Sequence, residues 1–190
     1  MNENKTIILV TGLPGSGKTA ASSHIRSKGI PTFLLGDIFR EEMRKRGLEF
    51  TNVNSERVAV QVRKEHGMDY AARKTGEKIK RLDNMLVCVD GARDMFELRR
   101  LASFGKLILV IIDAPEKIRY KRLVNAGGYK RPKSYEEFLW RAKEELKRGM
   151  AKIIHTHKYE KYVIRNKSTK YELKRKIDEL LENIHKNIKD

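Results

Sequence analysis

Lys18 and Thr19 close the stretch Gly12-Leu13-Pro14-Gly15-Ser16-Gly17-Lys18-Thr19, which fits G-x-x-x-x-G-K-[ST] at every position. The glycines free the backbone to turn successive N–H groups toward one point, and an ammonium group and a hydroxyl follow at once. That set suits a polyphosphate. The loop amides cradle phosphate oxygens, helped by the positive end of the helix that must follow. Lys18 reaches the β- and γ-phosphates, and the Thr19 hydroxyl ligates Mg²⁺. All eight residues are therefore expected to hold ATP.

Mg²⁺ needs a carboxylate at a neighbouring strand end, and two are available. LVCVDG ends in Asp90 and LILVIIDAP in Asp113. Asp113 has a competing use as N-cap of a helix starting near Pro115. Asp90 is followed by Gly91, which leaves room at the sheet edge where ligands of open α/β sheets bind. Asp90 is the expected metal partner of Thr19, directly or through water.

These residues need a frame, and apolar runs supply it. Strands are expected at Thr6–Thr11, Thr32–Leu35, Met85–Val89, Leu107–Ile112 and Tyr162–Ile164. Several are near-continuous Val/Ile/Leu, the pattern of strands covered on both faces. Helical patterns separate them, which implies a parallel sheet with right-handed crossovers. Asp94-x-x-Glu97, Asp113-x-x-Glu116, Ser134-x-x-Glu137 and Thr169-x-x-Glu172 have capping-box form. Ile177, Leu180, Leu181, Ile184 and Ile188 make one stripe on the last helix, a face for the sheet. About fifty residues between the second and third strands exceed a simple crossover. They hold three helix-like segments, Asp37–Arg46, Ser55–His66 and Asp69–Leu82, and read as an inserted lobe. Gly127-Gly128-Tyr129-Lys130-Arg131-Pro132 is a short flexible basic stretch.

The 190 residues suffice for one domain with a full core, and 39% are hydrophobic against 35% charged. No run approaches the ~20 apolar residues of a membrane helix. MNENK leads straight into a strand, without a signal-peptide pattern. The single cysteine, Cys88, cannot form an internal disulfide, and a cytoplasmic protein is expected. Lys plus Arg is 42 against 25 Asp plus Glu, a net charge of +17. Such a field attracts nucleotides, coenzymes and nucleic acids. A solvated, charge-rich surface of the thermophile kind explains it equally well. His155 and His157 lack a nearby third ligand and read as surface residues, Cys88 as core, and Trp140 as packing.

GLPGSGKT, GDIFREE, DGARD, DAPEKIRYKRL and YVIRN together resemble the adenylate-kinase-related P-loop kinases, a group that includes nucleoside monophosphate kinases and dephospho-CoA kinases. They are most similar to an archaeal family of adenylate-kinase-related proteins. The resemblance implies a three-layer α/β P-loop NTPase fold, with a five-stranded parallel sheet and helices on both faces. It implies one domain over 1–190, with an acceptor-binding helical lobe at 36–83 and a short lid at 126–134. ATP and Mg²⁺ are the implied cofactors. Arg40 matches the arginine of GD-x-x-R that holds the acceptor phosphate. Arg93 supplies a second, one residue earlier than in adenylate kinases but at the spacing of dephospho-CoA kinase relatives. Arg119, Arg131 and Arg141 fall in the region whose arginines clamp the transferring phosphoryl group, with Arg119 also against the donor nucleotide. Tyr162–Asn166 and the loop after it lie near the donor base.

Asp37 has two readings. It is the general base if the acceptor is a hydroxyl, as in dephospho-CoA, or the cap of the helix running from Ile38. Paired arginines favour a phosphate acceptor, AMP or another nucleoside monophosphate. A function of another class, an ATPase switch on RNA or a ribosomal particle, stays open on the charge alone.

Overall fold

The five apolar runs become five strands in a computed structural model that describes residues 5–128 and 131–189: β1 (Thr6–Thr11), β2 (Thr32–Leu34), β3 (Leu86–Asp90), β4 (Lys106–Asp113) and β5 (Glu160–Arg165). All pair in parallel, in the order β2-β3-β1-β4-β5. The reading of MNENK falls largely on residues 1–4, and two residues of the basic stretch are Tyr129 and Lys130. All of these lie outside the described residues.

Period-two geometry sends alternate side chains of each strand to opposite faces, and both faces are buried. Ile8, Val10, Cys88, Ile108, Val110 and Ile112 meet Ala21 and Ile25 of α1 (Lys18–Ser27) on one face. The stripe of the last helix, which with α1 covers that face, packs there as its spacing requires, with Ile177, Leu180, Leu181 and Ile184 buried. Burial of each such side chain contributes about 1.5–3 kcal/mol.

Ile7, Leu9, Val87, Val89, Leu109 and Ile111 point the other way. They meet α2 (Leu35–Lys45), α3 (Asn52–His66), α4 (Tyr70–Lys80) and α5 (Met95–Ala102). The three inserted helices α2–α4 share this single core with the sheet through Ile38, Phe39, Met43, Val58, Val62 and Ile79. After β4 come α6 (Glu116–Ala126) and α7 (Tyr135–Glu145). A π-helical turn, Leu146–Met150, then leads into α8 (Ala151–His155), whose Ile153 joins the core, and α9 (Lys170–Lys189) ends the described chain.

Three capping expectations hold. Asp94 accepts from the N–H groups of Phe96 and Glu97, Ser134 from Glu137 and Thr169 from Glu172. The fourth fails: α6 begins behind Pro115 without a side-chain cap, and Asp113 is exposed at the end of β4. Pro115 has a fixed φ and needs no donor in the first turn, so the helix starts there unaided. Trp140 also departs from expectation. It is 61% exposed on α7 rather than packed. His155 and His157 are exposed as expected.

Candidate functional site

In a parallel sheet all C-terminal strand ends share one edge, and the loop Gly12–Thr19 leaves β1 at that edge. Gly12, Gly15 and Gly17 have φ of +151°, +80° and +102°, outside the comfortable range of other residues. Gly17 shows why. It is the left-handed N-cap of α1, and a Cβ there would fall on Asn166 Nδ2. The loop is thus held from behind. Asn166 Nδ2 donates to Ser16 O at 2.7 Å, and Arg122 Nη1 donates to the same carbonyl at 3.3 Å. Arg122 Nη2 donates to Asn166 Oδ1 and to Ser168 O, both at 3.2 Å. Asn166 N–H donates to Asp113 O at 2.6 Å.

Arg119 sits elsewhere than a lid. It lies on α6, 6% exposed, with Nε on Ala114 O at 3.2 Å and Nη1 on Pro14 O at 3.4 Å. Its guanidinium stands 5.1 Å from the Phe138 ring centroid, and burial holds its pKa below the ordinary arginine range. A buried cation bonded to loop carbonyls is a brace for the loop. Gly12, Leu13, Ser16, Asp113 and Arg119 border a cavity of about 290 Å³. Ser16 Oγ is buried and, among the described residues, has no hydrogen-bond partner.

Asp90 lies at the sheet edge from which the loop leaves. It is 4% exposed and aligned with Val10, the penultimate residue of β1. Ser22, one turn beyond Thr19 on α1, donates to Asp90 Oδ2 at 2.7 Å, with its Oγ 3.2 Å from Thr19 O. Backbone amides, an ammonium, a hydroxyl and a buried carboxylate make a donor set that fits a magnesium nucleotide. Asp113 does not cap α6, so what distinguishes the two carboxylates is the Gly91 that follows Asp90 and the burial of Asp90.

Asp37 is not a cap. β2 runs directly into α2, whose N-cap is Leu34 in an extended conformation, so Asp37 falls inside the first turn. There it forms an ion pair with Arg40 one turn on, the two side chains 48% and 38% exposed. Arg93 follows β3. Its Nε stands 3.6 Å from Glu145 Oε1, and its side chain is 59% exposed. Thr11 Oγ1 donates to Ala92 O at 3.1 Å, tying that turn to the end of β1. Arg131 is exposed between α6 and α7, whereas Arg141 is two turns into α7, paired with Glu137. Sequence reading missed Arg122, the loop-holding role of Asn166, and Ser22. Only Asn166 carries a signal, its place directly after a strand end.

Comparison with known proteins bears on the family and the fold. A family model described as an AAA domain matches residues 8–141. A UPF0200 protein of Hyperthermus butylicus is 41% identical over 151 residues, covering 80% of this chain and 81% of that one. A UPF0200 protein of Thermococcus onnurineus is 36% identical over 183 residues, 94% of this chain and 97% of its own. Among solved structures, a Thermus thermophilus protein superposes with a TM-score of 0.66 at 22% identity, covering 95% and 98% of the two chains. An Acinetobacter baumannii shikimate kinase superposes with a TM-score of 0.57 at 16% identity, covering 96% and 94%. The chain belongs to the UPF0200 family and has a P-loop kinase-like fold.

Proposed function

We propose that this member of the UPF0200 family transfers a phosphoryl group from ATP, with Mg²⁺, to a small nucleotide-type acceptor, AMP or another nucleoside monophosphate first. One arrangement carries the reading. The glycine loop follows β1, Arg40 sits in the helix after β2, and Arg93 in the turn after β3, all on one edge of a parallel sheet.

Bound MgATP supplies the phosphoryl group and a cation that offsets developing charge. The loop amides and Lys18 grip its phosphates. Thr19 and Asp90 hold the cation, and the Ser22 hydroxyl keeps the Asp90 carboxylate aimed. Arg40 and Arg93 bind the acceptor phosphate with fork geometry and relieve repulsion between two anions. Arg131 and Arg141, carried by segment 126–134 and α7, close over the transferring group and exclude water. Arg119 supports the nucleotide indirectly, through the loop.

Asp37 favours a second reading. It does not cap α2, and on release from its ion pair with Arg40 its carboxylate takes the proton of a hydroxyl acceptor such as dephospho-CoA. The test is ADP release from ATP and Mg²⁺ against AMP, other nucleoside monophosphates, dephospho-CoA and short RNA, with Lys18→Ala as control. Turnover with a monophosphate, lost in Lys18→Ala and with a raised acceptor KM in Arg40→Ala, supports the first reading. An unchanged acceptor KM in Arg40→Ala removes Arg40 from it. Turnover with dephospho-CoA, reduced about 10²-fold or more by Asp37→Asn, selects the second. ATP hydrolysis stimulated only by RNA rejects both.

A further inference from the structure

Glu97 is the most deeply buried acid outside the phosphate loop's surroundings, with its side chain 1% exposed. It lies on α5, one turn after Arg93. Both of its oxygens are engaged, by different parts of the molecule. Oε2 accepts the backbone N–H of Arg93 at 2.8 Å. Oε1 accepts Nη2 of Arg63, from inserted helix α3, at 3.2 Å. Arg63 in turn lies over the ring of Phe39, 4.7 Å from its centroid, and Phe39 immediately precedes Arg40 on α2. Among the described residues Arg63 Nε has no hydrogen-bond partner, so the Glu97 bond and the Phe39 face fix this guanidinium.

A short chain of contacts therefore joins the two arginines assigned to the acceptor. It runs from Arg93 through Glu97 and Arg63 to Phe39 and Arg40. Its members sit on α2, α3, α5 and the turn leading to α5. Such a link is costly to keep. Burial raises the Glu97 pKa and nearby Asp94 raises it further, with Arg63 and the Arg93 N–H pulling the other way. Replacing a buried ion pair with apolar residues is often neutral or stabilising, which leaves geometry as the return on it.

We propose that Glu97 and Arg63 are positioning residues that set the relative placement of Arg40 and Arg93, and so determine acceptor binding without acting on ATP. This rests on the acceptor role of the two arginines. A carboxylate is required. In Glu97→Gln the amide nitrogen must face a donor, whether the Arg93 N–H or Arg63. Arg63→Met keeps the stem over Phe39 and removes the bond, whereas Arg63→Lys restores a charge and a donor.

The test pairs kinetics with backbone hydrogen exchange on the full chain. Arg63→Met is expected to speed exchange of the Arg93 amide, 30 positions away in another element. With AMP as acceptor it is expected to raise acceptor KM about tenfold, leaving ATP KM within about twofold. Arg63→Lys should recover part of the loss. Glu97→Gln should match Arg63→Met, and the double variant should add nothing further, because one link is cut either way. Wild-type exchange at Arg93 in both Arg63→Met and Arg63→Lys overturns the proposal. So do additive effects in the double variant, or equal rises in both KM values. If wild type transfers phosphate to no acceptor tried, the functional reading fails by itself, and exchange at Arg93 alone decides whether the link exists.

Discussion

Asn166→Ala tests how the phosphate loop is held. The substitution removes two side-chain bonds, Nδ2 to Ser16 O at 2.7 Å and Arg122 Nη2 to Oδ1 at 3.2 Å. It leaves the backbone bond from Asn166 N–H to Asp113 O, so the strand end stays in place. Ser16 O is not orphaned, since Arg122 Nη1 still reaches it at 3.3 Å. That puts the lost bonds near the lower end of the buried range, about 1–1.5 kcal/mol. The small void at a residue 6% exposed adds about 1 kcal/mol. A total of about 2–2.5 kcal/mol corresponds to a fall in Tm of roughly 4–10 °C for a chain this size. ATP affinity, measured by calorimetry with Mg²⁺, should fall about tenfold as the loop amides lose register. Asn166→Asp should be worse than alanine. It still accepts from Arg122 but sets an oxygen against Ser16 O and adds charge beside the loop. Gly17→Ala should be milder in the Asn166→Ala background, where its Cβ no longer meets Nδ2, though strain at φ +102° persists at about 1–2 kcal/mol. Wild-type ATP affinity in both Asn166 variants, with Tm lowered, would refute the brace: Asn166 would then serve stability alone.

Three further outcomes are expected. Ser22→Ala removes the 2.7 Å hydrogen bond from Ser22 Oγ to the buried Asp90 carboxylate, which should cost about 1.5–3 kcal/mol by urea unfolding and raise the Mg²⁺ concentration for half-maximal turnover. Because burial raises the folded pKa of Glu97 above its ordinary value of about 4.5, the folded state holds that proton more tightly, so this group's contribution to stability falls as pH rises above about 4.5 through its folded pKa. Unfolding free energies across that window should lose this slope in Glu97→Gln, and an unchanged slope would mean that Asp94 or another group produces it. Gly149→Ala introduces a Cβ 2.9 Å from Asp94 Cβ at φ +139°, and should destabilise by about 1–3 kcal/mol while raising acceptor KM through the Arg93 turn.

The frame was legible because its signals are local. TIILVT and LILVIID have no polar alternation since helices cover both their faces, and the structure places them side by side at the centre of the sheet. GLPGSGKT carries its own geometry. Strand ends were less legible. β3 runs on through Asp90 because Asp90 is paired with Val10, a partner 80 positions earlier. Residue type and spacing offer Asp113 as a cap, and a cap as one of two readings of Asp37. In each case the chain entered the helix by another route, from an extended Leu34 or through Pro115. The loop contacts of Arg119, Arg122 and Asn166 were beyond reach for a different reason. Their partners on the loop lie 105, 106 and 150 residues away, and nothing in an arginine's neighbours tells whether it will meet solvent or a carbonyl.

The loop's motif ends at residue 19, yet the groups that brace it, Asn166 and the Leu173 side chain beside Gly17, come about 150 residues later. At about 5–20 residues per second, ribosomal synthesis separates the two by roughly 8–30 s. During that interval the growing polypeptide displays the motif with at most the Arg119 and Arg122 bonds to its carbonyls, without Asn166 against Ser16 O or Leu173 beside Gly17. The loop's final geometry is thereby completed only with the closing strand and helix, so it depends on nearly the whole described chain having been made.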